Sequence, residues 1–270
     1  MAVDGVRAPV SCEGLVSDLG SLGLKVGDVV LVHSSLSSLG QVEGGAQTVI
    51  AALLKAVAPG GTVLAPTLTG RRHLSPAHPP VFDPARTPCW TGLVPETLRR
   101  LPLAVRSWHP THSVAAIGPA ADTLARDHHL APGPCGPDTP YARLAEMGGK
   151  VLFVGIDLTC ITMLHGVEEA AGLAYVLQDE PVEARIILPN GPLTVRTRLH
   201  YYGPERNFPA LEPFLVEAGA MRVGRVAGAT CRLVEAGEAW SIAAERLAAD
   251  PEFFLAEEEK GLGWPNKKVR

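Results

Sequence analysis

The sequence predicts an α/β protein: a three-layer arrangement with a mixed, partly parallel central sheet, built as one body or as two abutting lobes with a cleft between them. Three observations predict it. Short apolar runs such as Val29-Val30-Leu31-Val32 and Val151-Leu152-Phe153-Val154 have the length and β-branched content of strands covered on both faces. Segments of helical periodicity alternate with these runs, the pattern of β-loop-α-β units and of parallel pairing. Two strand pairs in the C-terminal half, one around the hairpin signal Pro189-Asn190-Gly191-Pro192 and one between Met221 and Val234, add further neighbours of mixed sense.

The elements follow in order. Glu13 to Leu22 has an amphipathic period and runs through the turn Gly23 to Asp28 into the strand Val29 to Val32. His33-Ser34-Ser35-Leu36-Ser37-Ser38-Leu39-Gly40 and Gly44-Gly45 then lead to a helix over Thr48 to Val57, the turn Pro59-Gly60-Gly61 and a strand over Thr62 to Pro66. Ligands of such units gather at the loops that leave the carboxyl ends of strands. From Thr67 to Pro95 the chain is rich in Pro, His, Arg and Thr, which reads as a long surface loop, a kind that is often functional. Strands are expected at Val114 to Ile117 and Lys150 to Val154, with helices near Ala120 to Arg126 and Tyr141 to Met147 between them. Helices near Pro209 to Ala218 and Ala239 to Ala248 complete the set. Repeats, low-complexity tracts and linkers are absent, so residues 1–270 read as one domain.

Composition narrows the partners. With 24 basic and 28 acidic side chains the net charge is -4, too small a field to hold nucleic acid or an anionic membrane. No apolar run approaches the roughly 20 residues that span a bilayer, and Met1 to Gly14 lacks an apolar signal core, so a cytoplasmic protein with a small-molecule partner is expected. Cys12, Cys89, Cys135, Cys160 and Cys231 are scattered and odd in number, which argues against disulfides and zinc spacings; each reads as a buried apolar residue or a lone nucleophile.

The chemistry-bearing stretch is Thr162-Met163-Leu164-His165-Gly166-Val167-Glu168-Glu169. On a helix His165 and Glu168 share a face, where a carboxylate can orient an imidazole. Acylating an amine requires an ammonium ion to lose a proton, and a histidine backed by an acid is a suitable base near neutral pH. Read by itself such a pair is more often a surface or structural contact than a catalytic one. Arg106-Ser107-Trp108-His109-Pro110-Thr111-His112-Ser113 concentrates donors before a strand. That loop either binds phosphate, amides or a thioester oxygen, or is a solvated loop capped by polar side chains. His109 and His112 are not read as metal ligands, because no carboxylate or cysteine completes a zinc spacing beside them; His128-His129 reads as an exposed helix end. Gly40 to Gly45 suits an anion at a helix start but matches neither a P-loop nor a dinucleotide fingerprint, and no G-x-S-x-G elbow is present.

Six segments in order resemble the aminoglycoside 3-N-acetyltransferase family across nearly the whole chain. They are Val32-His33-Ser34-Ser35-Leu36 with Gly40 and Gly44-Gly45; Gly60-Gly61-Thr62 with Pro66-Thr67; Phe82-Asp83-Pro84 with Thr87-Pro88; Arg106-Ser107-x-His109-Pro110-x-x-Ser113-x-Ala115-Ala116-x-Gly118; Gly149-Lys150-Val151-Leu152-x-x-Gly155; and Thr162-x-x-His165-x-x-Glu168. The resemblance implies direct transfer from acetyl-coenzyme A to an amine, without an acetyl-enzyme and without a metal. His165 is then the general base, Glu168 fixes its tautomer, and Thr162 helps to orient the thioester. Ser34, Ser35, Ser37, Thr67, Arg106, Ser107 and Ser113 are implied to lie near the coenzyme. Asp83, Glu169, Glu205 and Glu212 are expected at the rim for a cationic acceptor, since an amino sugar needs carboxylates. A homodimer is expected from the resemblance alone. The chain departs from the family pattern at Cys89-Trp90, where a small hydroxyl residue is usual, and at Asn207, where an acid is usual. Two other readings stay open: an N-acyltransferase for a non-antibiotic amine, and a non-catalytic coenzyme A-binding protein.

Overall fold

The computed structural model describes residues 9–264. Its centre is a seven-stranded sheet built from β1 (Val29–Ser34), β2 (Thr62–Pro66), β4 (Val105–Arg106), β5 (Val114–Ile117), β6 (Lys150–Val154), β9 (Met221–Val226) and β10 (Ala229–Glu235), in the order β4-β5-β2-β1-β6-β10-β9. The three middle strands run parallel, with Leu31 opposite Leu64 on one side and Val151 on the other. Antiparallel strands flank them, β5 beside β2 and β10 beside β6. A second sheet of three strands joins β3 (Val81–Phe82), β7 (Val182–Leu188) and β8 (Gly191–Thr197) in the order β3-β7-β8. The mixed, partly parallel sheet matches the expectation.

Alternation along the strands separates two apolar layers. Val30, Val32, Val63, Ala65 and Leu152 face α1 (Cys12–Leu22), α2 (Ala46–Val57) and α3 (Leu93–Leu98). Leu31, Leu64, Val151 and Phe153 face α4 (Ala121–Ala125), α5 (Pro140–Glu146), α6 (Thr162–Ala170), α7 (Glu212–Glu217) and α8 (Ala236–Ala249). Helices on both faces leave the middle strands no solvated side, which is why their sequences are unbroken apolar runs. Each fully buried Leu, Val or Phe contributes about 1.5–3 kcal/mol.

Two readings need correction. Residues 67–95 are not a featureless surface loop: Thr67, Leu68 and Phe82 are buried, Val81–Phe82 pairs in parallel with β7, and α3 begins at Leu93. A two-residue strand has no period to detect, and Pro95 masks the start of the helix, where its missing N–H costs nothing. His128 is not at an exposed helix end. It is fully buried, with Nδ1 2.9 Å from Ser107 Oγ and Nε2 2.9 Å from the Pro134 carbonyl, and only His129 reaches the surface.

Candidate active site

The carboxyl ends of the three parallel strands open into one cleft of about 1340 Å³. His33 and Ser34 reach it from the end of β1, Pro66 and Leu68 from β2, and the segment after β6 supplies Ile156, Thr159, Cys160, Ile161 and Thr162 before α6 brings in His165. Trp90, His200, Tyr202, Glu205 and Arg206 close the other side. Gly155 makes the exit from β6: its φ is +67°, and a Cβ there would fall 1.7 Å from Ser38 Oγ. A side chain is excluded on both counts.

On α6, His165 Nδ1 lies 2.9 Å from Glu168 Oε2, the i, i+3 contact expected from the spacing. Glu168 is completely buried, whereas the His165 side chain keeps 29% of its exposure, so the imidazole meets the cleft and the carboxylate stands behind it. Arg206 completes the arrangement with Nε 3.1 Å from Glu168 Oε1, its guanidinium 5.0 Å from the Tyr175 ring and its other nitrogens on the Pro204 and Tyr175 carbonyls. Burial pushes the Glu168 carboxyl up, but the hydrogen bond from His165 and the charge of Arg206 outweigh it and hold the group below the usual glutamate range. The buried acid is therefore a carboxylate able to accept Nδ1–H and to balance an imidazolium.

Glu169, the next residue, serves a second imidazole. Its Oε1 lies 2.6 Å from His200 Nε2, and its two oxygens accept the backbone N–H groups of Cys135 and Gly136 at 2.9 Å each. Burial raises its carboxyl to about 7 despite those donors. The His200 ring sits 5.0 Å from that of His165 and 4.5 Å from that of His112. Burial holds His112 and His200 well below the ordinary histidine range. His33 is likewise buried, lowered to about 3 and stacked on Phe153 at 5.3 Å. Its Nε2 and the Oγ of Ser34 are buried polar atoms without a hydrogen-bond partner among the described residues.

The expected site residues fall into three groups. His165, Glu168, Thr162, Ser34 and Glu205 are brought together at the cleft, with Glu168 directly behind His165. Thr67, Arg106 and Ser113 form a buried brace instead of lining it. Arg106 Nε reaches Thr67 Oγ1 at 3.2 Å and Ser113 Oγ at 3.1 Å, and its remaining nitrogens hold the Thr67, Pro84 and Thr87 carbonyls. Burial lowers this guanidinium to about 10. Ser107 bonds His128, and Ser35 and Ser37 bond each other at 3.2 Å. Away from the cleft, Asp83 caps the turn to Arg86 and Glu212 pairs with Arg232 at 3.0 Å, while Glu169 is committed to His200. The Arg106–Ser113 loop is buried except at Trp108 and joins the rest of the fold through its own hydrogen bonds. Trp90, the departure from the family pattern, is half-exposed on the cleft wall, with its indole N–H fixed on the Gly70 carbonyl at 2.9 Å. His200 and Arg206 were not expected at the site, and no linear spacing ties them to His165; His33, from the exit of β1, and His112, from the donor loop, line the cleft beside them.

Comparison with known proteins identifies the family. The model of the aminoglycoside 3-N-acetyltransferase family matches residues 31–248. The chain belongs to that family. It is 38% identical to aminoglycoside N(3)-acetyltransferase VIII of Streptomyces fradiae, over 87% of this chain and 91% of that protein. Among solved structures, AAC-IIIb in a binary complex with CoASH superposes with a TM-score of 0.77 at 30% identity, covering 90% and 97% of the two chains. A mutant of AAC(3)-IVa in complex with a gentamicin gives 0.81 at 31% identity, covering 96% of each. The protein is thus an aminoglycoside N(3)-acetyltransferase-like enzyme of α/β fold, and no helix among its described residues is long and apolar enough to cross a membrane.

Proposed function

We propose that this acetyltransferase-family chain, acting as one domain, transfers the acetyl group of acetyl-coenzyme A directly to the 3-amino group of a deoxystreptamine aminoglycoside, with His165 as general base. The observation that carries the reading is the series His165, Glu168 and Arg206, in which a carboxylate with no exposure is held between a cleft-facing imidazole and a guanidinium. A cleft of about 1340 Å³ exceeds the roughly 300–1,000 Å³ of ordinary ligand sites and suits two reactants. The partnerless His33 Nε2 and Ser34 Oγ on its floor fit a thioester carbonyl or an amide of the coenzyme arm. When bound, acetyl-coenzyme A supplies an activated acyl group with a thiol leaving group. Glu168 accepts a hydrogen bond from Nδ1–H of His165, which leaves Nε2 to remove the ammonium proton of the acceptor as its nitrogen attacks. The charge then passing onto the imidazole is balanced by Glu168, and Glu168 is balanced by Arg206. Thr162, on the cleft three residues before His165, orients the thioester, and Glu205 receives a second ammonium group at the rim. Thr67, Arg106 and Ser113 support the wall from behind.

A second reading has its own observation. The chain carries Asn207 where the family pattern has an acid, and one carboxylate fewer suits an amine with fewer charges than an aminoglycoside. Thiol release from acetyl-coenzyme A with a panel of aminoglycosides and simple amines tests both. Faster release with the aminoglycosides supports the first reading, faster release with simple amines the second, and no release with any acceptor leaves a coenzyme-binding protein.

A further inference from the structure

We propose that His112, Cys135 and His200 form a zinc(II) site in the floor of the cleft, with its open coordination position toward the reactants. One ligand atom from each lies within 4.8 Å of the other two, and all three residues are buried. A point central to three atoms so spaced is no more than about 2.8 Å from any of them, so closing to zinc bond lengths of about 2.0–2.3 Å takes at most about 0.5–0.8 Å at each ligand. Two imidazoles and a thiolate are a zinc donor set, and three protein ligands leave the fourth position free. His112 and His200 line the cleft whereas Cys135 lies beneath, which places that free position on the cleft side.

The surroundings are those of a built site. A metal-binding histidine ordinarily anchors its other ring nitrogen on a carboxylate, hydroxyl or carbonyl, which fixes the ring. His200 is anchored through Nε2 on Glu169 at 2.6 Å, and Glu169 is held by the Cys135 and Gly136 N–H groups. His112 is anchored through Nδ1 on Thr111 Oγ1 at 2.9 Å. The nitrogens without a hydrogen bond among the described residues are therefore His200 Nδ1 and His112 Nε2. Glu169 thus joins two of the three ligand segments, through the ring of one and the main chain of the other. On binding, the Cys135 S–H bond breaks, an S–Zn bond forms and the proton leaves to solvent; nothing is oxidised or reduced. Thiolate and Glu169 together match the charge of the ion. Linear spacing gives no sign of the site, because its ligands are separated by intervals of 23 (135 − 112) and 65 (200 − 135) positions.

Cobalt(II) titration of the chelator-stripped full-length protein tests the site. The expected result is one equivalent bound, with strong visible bands of four-coordinate cobalt and a near-ultraviolet thiolate-to-cobalt band, both displaced by zinc. Cys135→Ser should abolish the near-ultraviolet band and weaken binding at least tenfold, whereas Cys160→Ser, at the exposed cysteine on the cleft, should change neither. A wild-type spectrum of weak six-coordinate cobalt overturns the proposal, even if the Cys135 variant fails to fold. So does a thiolate band that persists in Cys135→Ser or disappears in Cys160→Ser.

Discussion

Replacing Arg206 by Met keeps a long apolar stem over Tyr175 and removes the charge that faces Glu168. The carboxylate it abandons has no exposure and keeps only His165 as a side-chain partner. Stranding one member of a buried pair costs about 3–5 kcal/mol, because its attraction is lost while its desolvation remains. At about 2–4 °C per kcal/mol for a chain of this size, the variant should melt roughly 6–20 °C below the parent in a thermal scan. Glu168 can relieve the cost by binding a proton, and a protonated Glu168 no longer accepts Nδ1–H. The acid limb of the pH–kcat profile should therefore move toward neutrality, with KM for the coenzyme little changed. Adding Glu168→Gln to Arg206→Met removes the stranded charge, so the double variant should recover part of the melting temperature without recovering activity. Melting within about 1 °C of the parent together with an unshifted profile would refute the view of Arg206 as counter-charge to the base, and a double variant as unstable as the two singles summed would do the same.

Three further outcomes follow from the same geometry. His165→Ala should lower kcat by about 10²–10⁴-fold, with coenzyme affinity by calorimetry nearly unchanged; turnover equal to wild type would remove the proposed base. Stability should fall steeply on acidification, because His33, His109, His112, His128 and His200 are all depressed by burial and take up protons on unfolding below about pH 6.5. Glu169, raised to about 7, acts oppositely and loses its contribution as pH rises through that value, which leaves a net slope of at most about 5 kcal/mol per pH unit; urea midpoints that stay level from pH 6.5 to 5 would contradict it. Gly166→Ala inverts a familiar rule, since alanine normally favours a helix by about 1 kcal/mol, but here its Cβ would fall 2.2 Å from the Cys135 carbonyl oxygen and 3.0 Å from the Trp240 ring. A lower melting temperature and a lower kcat are expected, and a stabilised, fully active variant would show that the helix has room to move.

Much of the framework was legible because its signals are local. Thr62–Pro66 and Val114–Ile117 read as strands from apolar runs alone, since layers on both faces forbid polar alternation. His165 and Glu168 were legible for a similar reason: one turn of one helix joins them. Arg206 and His200 were not, because they reach α6 only through the tertiary fold, 38 and 31 positions from their carboxylate partners. The basic and hydroxyl residues of the Arg106–Ser113 loop drew attention as donors. Whether donors face a ligand or hold the chain's own carbonyls is decided by the path of residues 67–87, and Arg106 does the latter. His128 beside His129 reads as polar surface because composition cannot say which of two neighbours turns inward.

Neighbouring residues on a helix point about 100° apart, so Glu168 and Glu169 grip partners on different sides of α6. One grips its own helix and Arg206; the other grips His200, just beyond the last strand of the smaller sheet, and so rivets that sheet to α6. Swinging the smaller sheet outward would tear this rivet and leave a buried carboxyl facing only main-chain donors. Bulky molecules should instead come and go past the lip formed by Trp90 and Tyr202, where half-exposed rings can turn aside without uncovering a buried acid.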